Sequence, residues 1–406
     1  MKKMKLNSMK FGVMVLAASL TVGTVSCKKK GCTDTLAQNY SEKAKKDDGS
    51  CDYSITTPTT YSFERNGSSS VSFSGQTTRF EMLSEMVTYM KSANTAGTAI
   101  SATSLKAMYA NDAYTWADAP GLGMTGSTKQ LKNKTGYATA DGSADAGVQS
   151  VFEGYIDDLA TISASTVTET GEAGTAGVWP NDGQKGPYLM GADGKEYTQL
   201  IEKGLMCAVF MSQITVNYLG TVTDDENSLL KDGKNYTEME HHWDEAFGYF
   251  TDAIDFPTNG TDRFWGKYAN GRESVISSAT KIYNAFKLGR KAIVGKDYTI
   301  RDAQISIIRN EMEKVCAGTA IHYLNSAKSK ISYNTARNHS LSEAHAFING
   351  LKYGYNAING TGMSSANVDT ALGHISDFNT VTLADLNAAI DVIAANTGLE
   401  SVKGSL

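Results

Sequence analysis

Glu238-Met-Glu-His-His-Trp-Asp-Glu-Ala-Phe-Gly-Tyr-Phe250 is the stretch whose reading decides the fold of this 406-residue chain. It concentrates ionisable, metal-capable and aromatic residues, and a relative of it returns near the C-terminus as Asn338-His-Ser-Leu-Ser-Glu-Ala-His-Ala-Phe347. His241, Glu245 and Ala246 fall on His339, Glu343 and Ala344. Positions i and i+4 of a helix project from nearly the same side, so each copy sets an imidazole and a carboxylate on one stripe. A second correspondence precedes each motif: Glu202 stands five positions before Cys207-Ala208, and Glu311 stands five before Cys316-Ala317. A helix pair cannot bury its apolar face alone, so two related pairs predict a duplicated helical bundle. The copies differ by an insertion that fits the Asp-rich loop 223–234, since loops tolerate added residues.

Outward from these motifs the apolar periodicity is helical almost throughout. Phe80, Leu83, Val87 and Met90 recur at spacings of three and four and predict a helix over 77–93. The same pattern predicts helices over 104–110, 147–163, 196–219, 236–253, 273–294, 299–329 and 336–353, with a last one around Leu383 to Ile393. Glycine-rich stretches at 118–144, 166–195 and 354–367 read as loops, and Arg263 to Tyr268 reads as an aromatic connector. Strand character is confined to an extended lead-in at 61–74. The expected fold class is mainly α: a duplicated bundle, with a first half over 61–257 and a second over 258–406.

A net charge of -5 with 20% charged residues offers no basic face, which argues against nucleic acid as a partner. Lys2, Lys3, Lys5 and Lys10 precede an apolar run from Phe11 to Val25 that ends at Ser26-Cys27. This resembles a bacterial lipoprotein signal peptide over 1–26 with Cys27 as the lipidated residue, although Thr24 stands where such signals usually carry an aliphatic. The expectation is an outer-membrane lipoprotein, on the periplasmic or surface face, held to the membrane through its lipid anchor. Cys32 and Cys51 fit an exported protein: a disulfide between them staples segment 27–60, which is too small for a core of its own. That segment resembles a short module of exported proteins, of the form Gly-Cys-Thr-Asp, Ala-x-Asn-Tyr, Asp-Asp-Gly-Ser-Cys. Cys207 and Cys316 sit in apolar patterns and read as buried small hydrophobes.

Helix bundles build metal sites from inward Glu residues and Glu/His pairs, and His241, His242, Glu245, His339, Glu343, Glu202 and Glu311 supply that set. Mixed nitrogen and oxygen donors suit a divalent metal such as iron or zinc. The order His-x-x-x-Glu differs from the Glu-x-x-His of di-iron bundles. The alternative for Glu202 and Glu311, preferred on residue type alone, is an exposed helix charge. No His-Glu-x-x-His, phosphate loop or nucleophile elbow is present, so no catalytic residue is assigned. Trp243, Phe247 and Tyr249 read as core.

Phe73-Ser-Gly-Gln-Thr-Thr-Arg79 and His242-Trp-Asp-Glu-Ala-Phe-Gly-Tyr249 resemble an uncharacterised lipoprotein domain that accompanies the imelysin-like proteins, a helical family linked to iron uptake. The imelysin motif is Gly-x-His-x-x-Glu. His242 and Glu245 match it, whereas Glu240 replaces the glycine. The resemblance implies a binding protein for a metal, iron above all, or for a metal complex, acting with an outer-membrane uptake partner in nutrient acquisition. It also implies two alternatives. One is a metallopeptidase of the imelysin type. The other is a surface protein that binds a partner or glycan through its Gly-rich loops and the aromatics of 109–116 and 264–268.

Overall fold

The computed structural model describes residues 29–118, 123–136, 144–165, 171–258 and 260–406. The expected signal segment and Cys27 lie outside the described residues. The chain forms two compact units, Met1–Tyr53 and Ser54–Leu406. In the first, Cys32 and Cys51 form the expected disulfide. Asn39 closes the loop around it: its Nδ2 donates to the Ser50 carbonyl and its Oδ1 accepts from Asp52 N at 2.8 Å.

The second unit is mainly helical, as the periodicity predicts. It opens with a two-residue hairpin, β1 (Glu64–Arg65) and β2 (Ser68–Ser69). Then come α1 (Ser74–Ser92), α2 (Ala102–Ala110) and α3 (Ala146–Ser165). Ser101 Oγ caps α2 by accepting from Ser104 N, and Asp145 Oδ1 accepts from the Gly147 and Val148 amides at the start of α3. The stretch expected as a plain loop at 166–195 contains a second antiparallel hairpin, β3 (Gly177–Trp179) with β4 (Tyr188–Met190). Its pattern is too short to register as alternation.

The helix expected over 196–219 begins as α4 (Tyr197–Leu205) and then widens into π turns over Met206–Met211 and Gln213–Tyr218, ending as α5 (Leu219–Thr221). Donors from outside the helix take its carbonyls. Trp265 Nε1 donates to Met206 O at 2.9 Å, Gly136 N to Ala208 O at 2.6 Å and Arg309 Nε to Thr215 O at 2.8 Å. Such intrusions loosen the i→i+4 ladder and are a recognised cause of π segments.

The opening motif is α6 (Glu238–Phe250), started by a capping box in which Thr237 and Glu240 satisfy each other's amides. The expected aromatic connector is instead the first turn of α7 (Phe264–Ile276), and the single helix expected over 273–294 breaks at Ser277 into α7 and α8 (Ser278–Val294). Ser277 is left-handed with φ +55°, and Glu273 Oε2 accepts from Ala279 N at 2.7 Å to start the new helix. The long α9 (Tyr298–Ser329) follows, then α10 (Asn334–Gly350), which carries the second motif. A short α11 (Tyr355–Ile358), α12 (Ser365–His374) and α13 (Leu383–Thr397) close the chain. Helix α9 is the hub, packed by α8, α10 and α13, and α10 also packs on α4. Residues of both expected halves join one hydrophobic cluster.

Trp243, Phe247 and Tyr249 are fully buried in that core, as are Cys207 and Cys316. Through it runs a buried ionic network. Arg290 Nη1 donates to Glu240 Oε1 and its Nε to Asp244 Oδ1, both at 2.9 Å, with none of the three side chains appreciably exposed. Arg65 adds two bonds to Glu240, and the Tyr61 hydroxyl donates to Asp244 at 2.7 Å. Burial pushes Glu240 up, but the Arg290 and Arg65 charges overcome it and hold this carboxyl down to about 2.

Removing the Glu240 charge leaves Arg65 without its carboxylate and Arg290 with Asp244 alone, so Glu240→Gln is expected to cost roughly 3 kcal/mol at neutral pH. The folded pKa of Glu240 lies below its unfolded one, so this contribution is present above about pH 4.5 and is lost as pH falls toward 2. Urea unfolding of both proteins across pH 2 to 7 checks this: the gap between them closes on acidification, and a gap independent of pH contradicts the assignment.

Candidate functional site

Each His/Glu stripe lies on its own helix, the first on α6 and the second on α10. On α6, His241 Nδ1 lies 3.2 Å from the Ser72 carbonyl, which fixes the proton on that nitrogen. Its Nε2 lies 3.9 Å from Glu245 Oε2, and the ring stacks on Tyr236 at 4.7 Å. Burial lowers the His241 pKa, so Nε2 keeps a free lone pair at neutral pH. Glu245 Oε1 accepts from Gln76 Nε2 at 3.0 Å. The two sequence segments that carry the family resemblance are thus one joint. Phe73 meets Phe247 edge-on at 5.5 Å and lies so close to Gly248 that an added Cβ there would sit 2.5 Å from the Phe73 Cβ.

His242 has a different environment. Its Nδ1 pairs with Asp225 Oδ2 at 2.8 Å and its Nε2 with Glu238 Oε1 at 3.2 Å. Burial works against its charge, but the bond to Asp225 and the neighbouring carboxylates outweigh burial and raise the pKa. A doubly protonated ring has no lone pair for a metal. Both ring nitrogens of the residue that best matches the imelysin motif thus face carboxylates, and sequence reading missed its partners Asp225 and Glu238.

On α10, His339 Nδ1 lies 2.6 Å from Glu196 Oε2 and its Nε2 3.4 Å from Glu343 Oε2, while the ring stacks on Tyr188 at 4.3 Å. The side chains of this pair are each 8% exposed, against 21% and 17% for His241 and Glu245. Glu343 is joined to Glu202 through a lysine that sequence reading passed over: Lys203 Nζ lies 2.5 Å from Glu202 Oε1 and 3.8 Å from Glu343 Oε1. Burial opposes the Lys203 charge, yet Glu202 and Glu343 together raise its pKa, so it is a buried ammonium. A Glu-Lys dipeptide inside an otherwise apolar helix pattern was the available signal.

Glu202 and Glu311 are not the exposed helix charges that residue type suggested. Glu311 is buried, accepts from Ser278 Oγ at 2.6 Å and pairs with Lys314 at 3.0 Å. It closes the α8–α9 contact and meets neither His/Glu pair. Glu202 lines a recess of about 270 Å³ among α1, α4 and α7, together with Lys203, Asp262, Arg263, Lys267 and Tyr268. Among the aromatics expected to mark a binding surface, Tyr109, Trp116 and Trp265 are buried, whereas Phe264 and Tyr268 line this recess. Among the described residues, no group of three or more His, Cys, Asp and Glu side chains is arranged to hold a metal ion. None of the described helices is long and apolar enough to cross a membrane.

One protein-family model, described as a domain of unknown function (DUF4856), matches residues 58–398. No curated protein and no solved structure matches the chain.

The opposite environments of the adjacent histidines give a direct test. In a histidine NMR titration, His242 is expected to titrate above the ordinary 6.5 and His241 below it. Asp225→Asn removes the partner of Nδ1 and is expected to bring His242 down. Identical midpoints for the two rings contradict the assigned partners.

Proposed function

We propose that this chain, which belongs to the family of that domain of unknown function, is an exported, lipid-anchored binding protein that captures a small charged solute in nutrient acquisition. The observation that carries this reading is the recess over Lys203. An ammonium and a carboxylate sit at its floor with further charges at its rim, in a space the size of a small molecule. Buried ion pairs are costly to assemble, and π segments begin one turn beyond Lys203, an arrangement often found at functional sites.

The metal expected from the resemblance fits this reading best as part of a bound complex. A bare ion needs three or more converging donors, and His242 and His339 each give both ring nitrogens to carboxylates. One observation favours a bare ion as a second reading: the free Nε2 of His241 faces Glu245 across 3.9 Å at a partly exposed position. No third donor joins them among the described residues.

The two readings separate on one set of variants. Protein purified without chelator is analysed by native mass spectrometry and elemental analysis. Under the leading reading a small co-purifying solute, with or without metal, is lost in Glu202→Gln and kept in His241→Ala with Glu245→Ala. Metal that stays in Glu202→Gln and disappears with the His241/Glu245 variant would overturn it in favour of the bare ion.

A further inference from the structure

Cys207 and Cys316 take no part in the sites described above, yet the fold brings them together. Both are thiols in the structure, and both are fully buried. Cys316, on α9, donates from Sγ to the Phe347 carbonyl at 3.3 Å. The Leu351 amide donates to that same carbonyl, so the Cys316 sulfur lies at the last turn of α10, beside Gly350. Cys207, on the first π turn beyond α4, stands against Gly350 so closely that a Cβ there would lie 2.3 Å from its Sγ. Two sulfurs from distant parts of the chain thus converge on one turn of one helix. The Cys207 thiol is within hydrogen-bonding reach of Cys316.

The surroundings leave room for this approach. Ala208 and Ala317 follow the two cysteines, and position 350 has no side chain to keep Cys207 away. A single buried thiol is an ordinary small apolar residue. Two buried thiols in contact differ from that, because oxidation joins them without adding an atom to the core. The other two described cysteines, Cys32 and Cys51, are already bonded to each other. Disulfides form and persist where thiols are oxidised, and among the described residues Cys207 and Cys316 have only each other as a partner.

We propose that Cys207 and Cys316 are joined in a second disulfide as the chain folds, by exchange with a protein or small-molecule disulfide of an oxidising compartment. One cysteine thiolate attacks the oxidant's disulfide, forming a mixed disulfide and expelling one thiolate of the oxidant. The other cysteine thiolate then attacks the bound cysteine's sulfur, closing the Cys207–Cys316 bond and expelling the second thiolate. The pair loses two protons and two electrons, and the oxidant ends as two thiols. This exchange belongs to folding and not to the finished core: burial, together with the neighbouring Cys207, pushes the Cys316 thiol well up, and a protonated thiol does not attack. Cys207 follows Met206, which lines the recess, so the bond holds that wall of the recess to the hub helix α9. The proposal shares with the reading of the recess only the exported, oxidising setting, and it stands or falls independently of what the recess binds.

The test is peptide mapping of the full chain, exported by a bacterial host with its thiol-oxidising system intact and denatured in N-ethylmaleimide without reductant. The expected result is a pair of peptides linked through Cys207 and Cys316 that separates on reduction, with no maleimide on either cysteine. Cys316→Ala is expected to leave Cys207 carrying one maleimide, and Cys207→Ala to do the same for Cys316. Maleimide on both cysteines of the unsubstituted chain overturns the second disulfide. Linkage of either one to Cys32, Cys51 or a small thiol overturns it as well.

Discussion

Arg290 is the side chain on which the architecture depends. A fully buried guanidinium is tolerated only when its charge and its donors are met. Glu240 and Asp244 from α6 meet the charge, while Ser70 meets the remaining nitrogen through its carbonyl at 3.0 Å. These partners come from separate places in the chain, so satisfying Arg290 draws the lead-in at 61–72, helix α6 and helix α8 into one arrangement. Buried ion pairs often add little net stability compared with an apolar replacement. What this one supplies is selection among packings: any other register leaves a charge unpaired. With the lead-in fixed, Phe73 falls onto Gly248 and Phe247, α1 starts at Ser74, and Gln76 reaches Glu245.

The same demand for satisfaction shapes α4. Trp265, Gly136 and Arg309 each need an acceptor in the core, and the carbonyls of the helix from Met206 to Leu219 provide them. The helix gives up its regular ladder there and widens. Phe210, fully buried in the widened segment, packs against Phe80, Tyr249 and Phe264, so the π turns sit where α1, α6 and α7 converge. Glu202 and Lys203 lie in the last regular turns before this point. Their position against α7, and so the recess, follows from where the regular helix stops.

Much of the helical layout was legible because 3.6-residue apolar periodicity reports burial, and burial is the property that this fold distributes along single helices. The core roles of Trp243, Phe247 and the two free cysteines were legible for the same reason, and the N-terminal disulfide from a cysteine pair in a segment too small for a core of its own. Periodicity is blind to tertiary hydrogen bonds. It could not show that Ser277 turns left-handed to let Glu273 cap α8, nor that outside donors would convert Met206–Tyr218 to π turns. Among candidate site residues it found the stripes and not their partners. Glu196, Asp225, Glu238 and Lys203 come from other positions on the helices or from loops, and their proximity is a product of packing. The bland reading of Glu202 and Glu311 failed because a carboxylate on a helix looks the same in sequence whether a lysine or solvent faces it.

The two His/Glu stripes are alike in geometry and unlike in chemistry, and the difference lies in what faces the far nitrogen. His241 meets a backbone carbonyl, which accepts a hydrogen bond and carries no charge, and burial lowers the ring's pKa beside its glutamate. His339 meets the carboxylate of Glu196, and its glutamate meets Lys203, so the second stripe is one member of a chain of ionisable groups running Glu196, His339, Glu343, Lys203, Glu202. In a low-dielectric interior such a chain holds each charge in place through its neighbours. It ends at Glu202, which Lys91 also faces at 3.6 Å, at the edge of the recess among α1, α4 and α7. The second stripe, and not the one on α6, is thus the one that is linked through Lys203 and Glu202 to the recess.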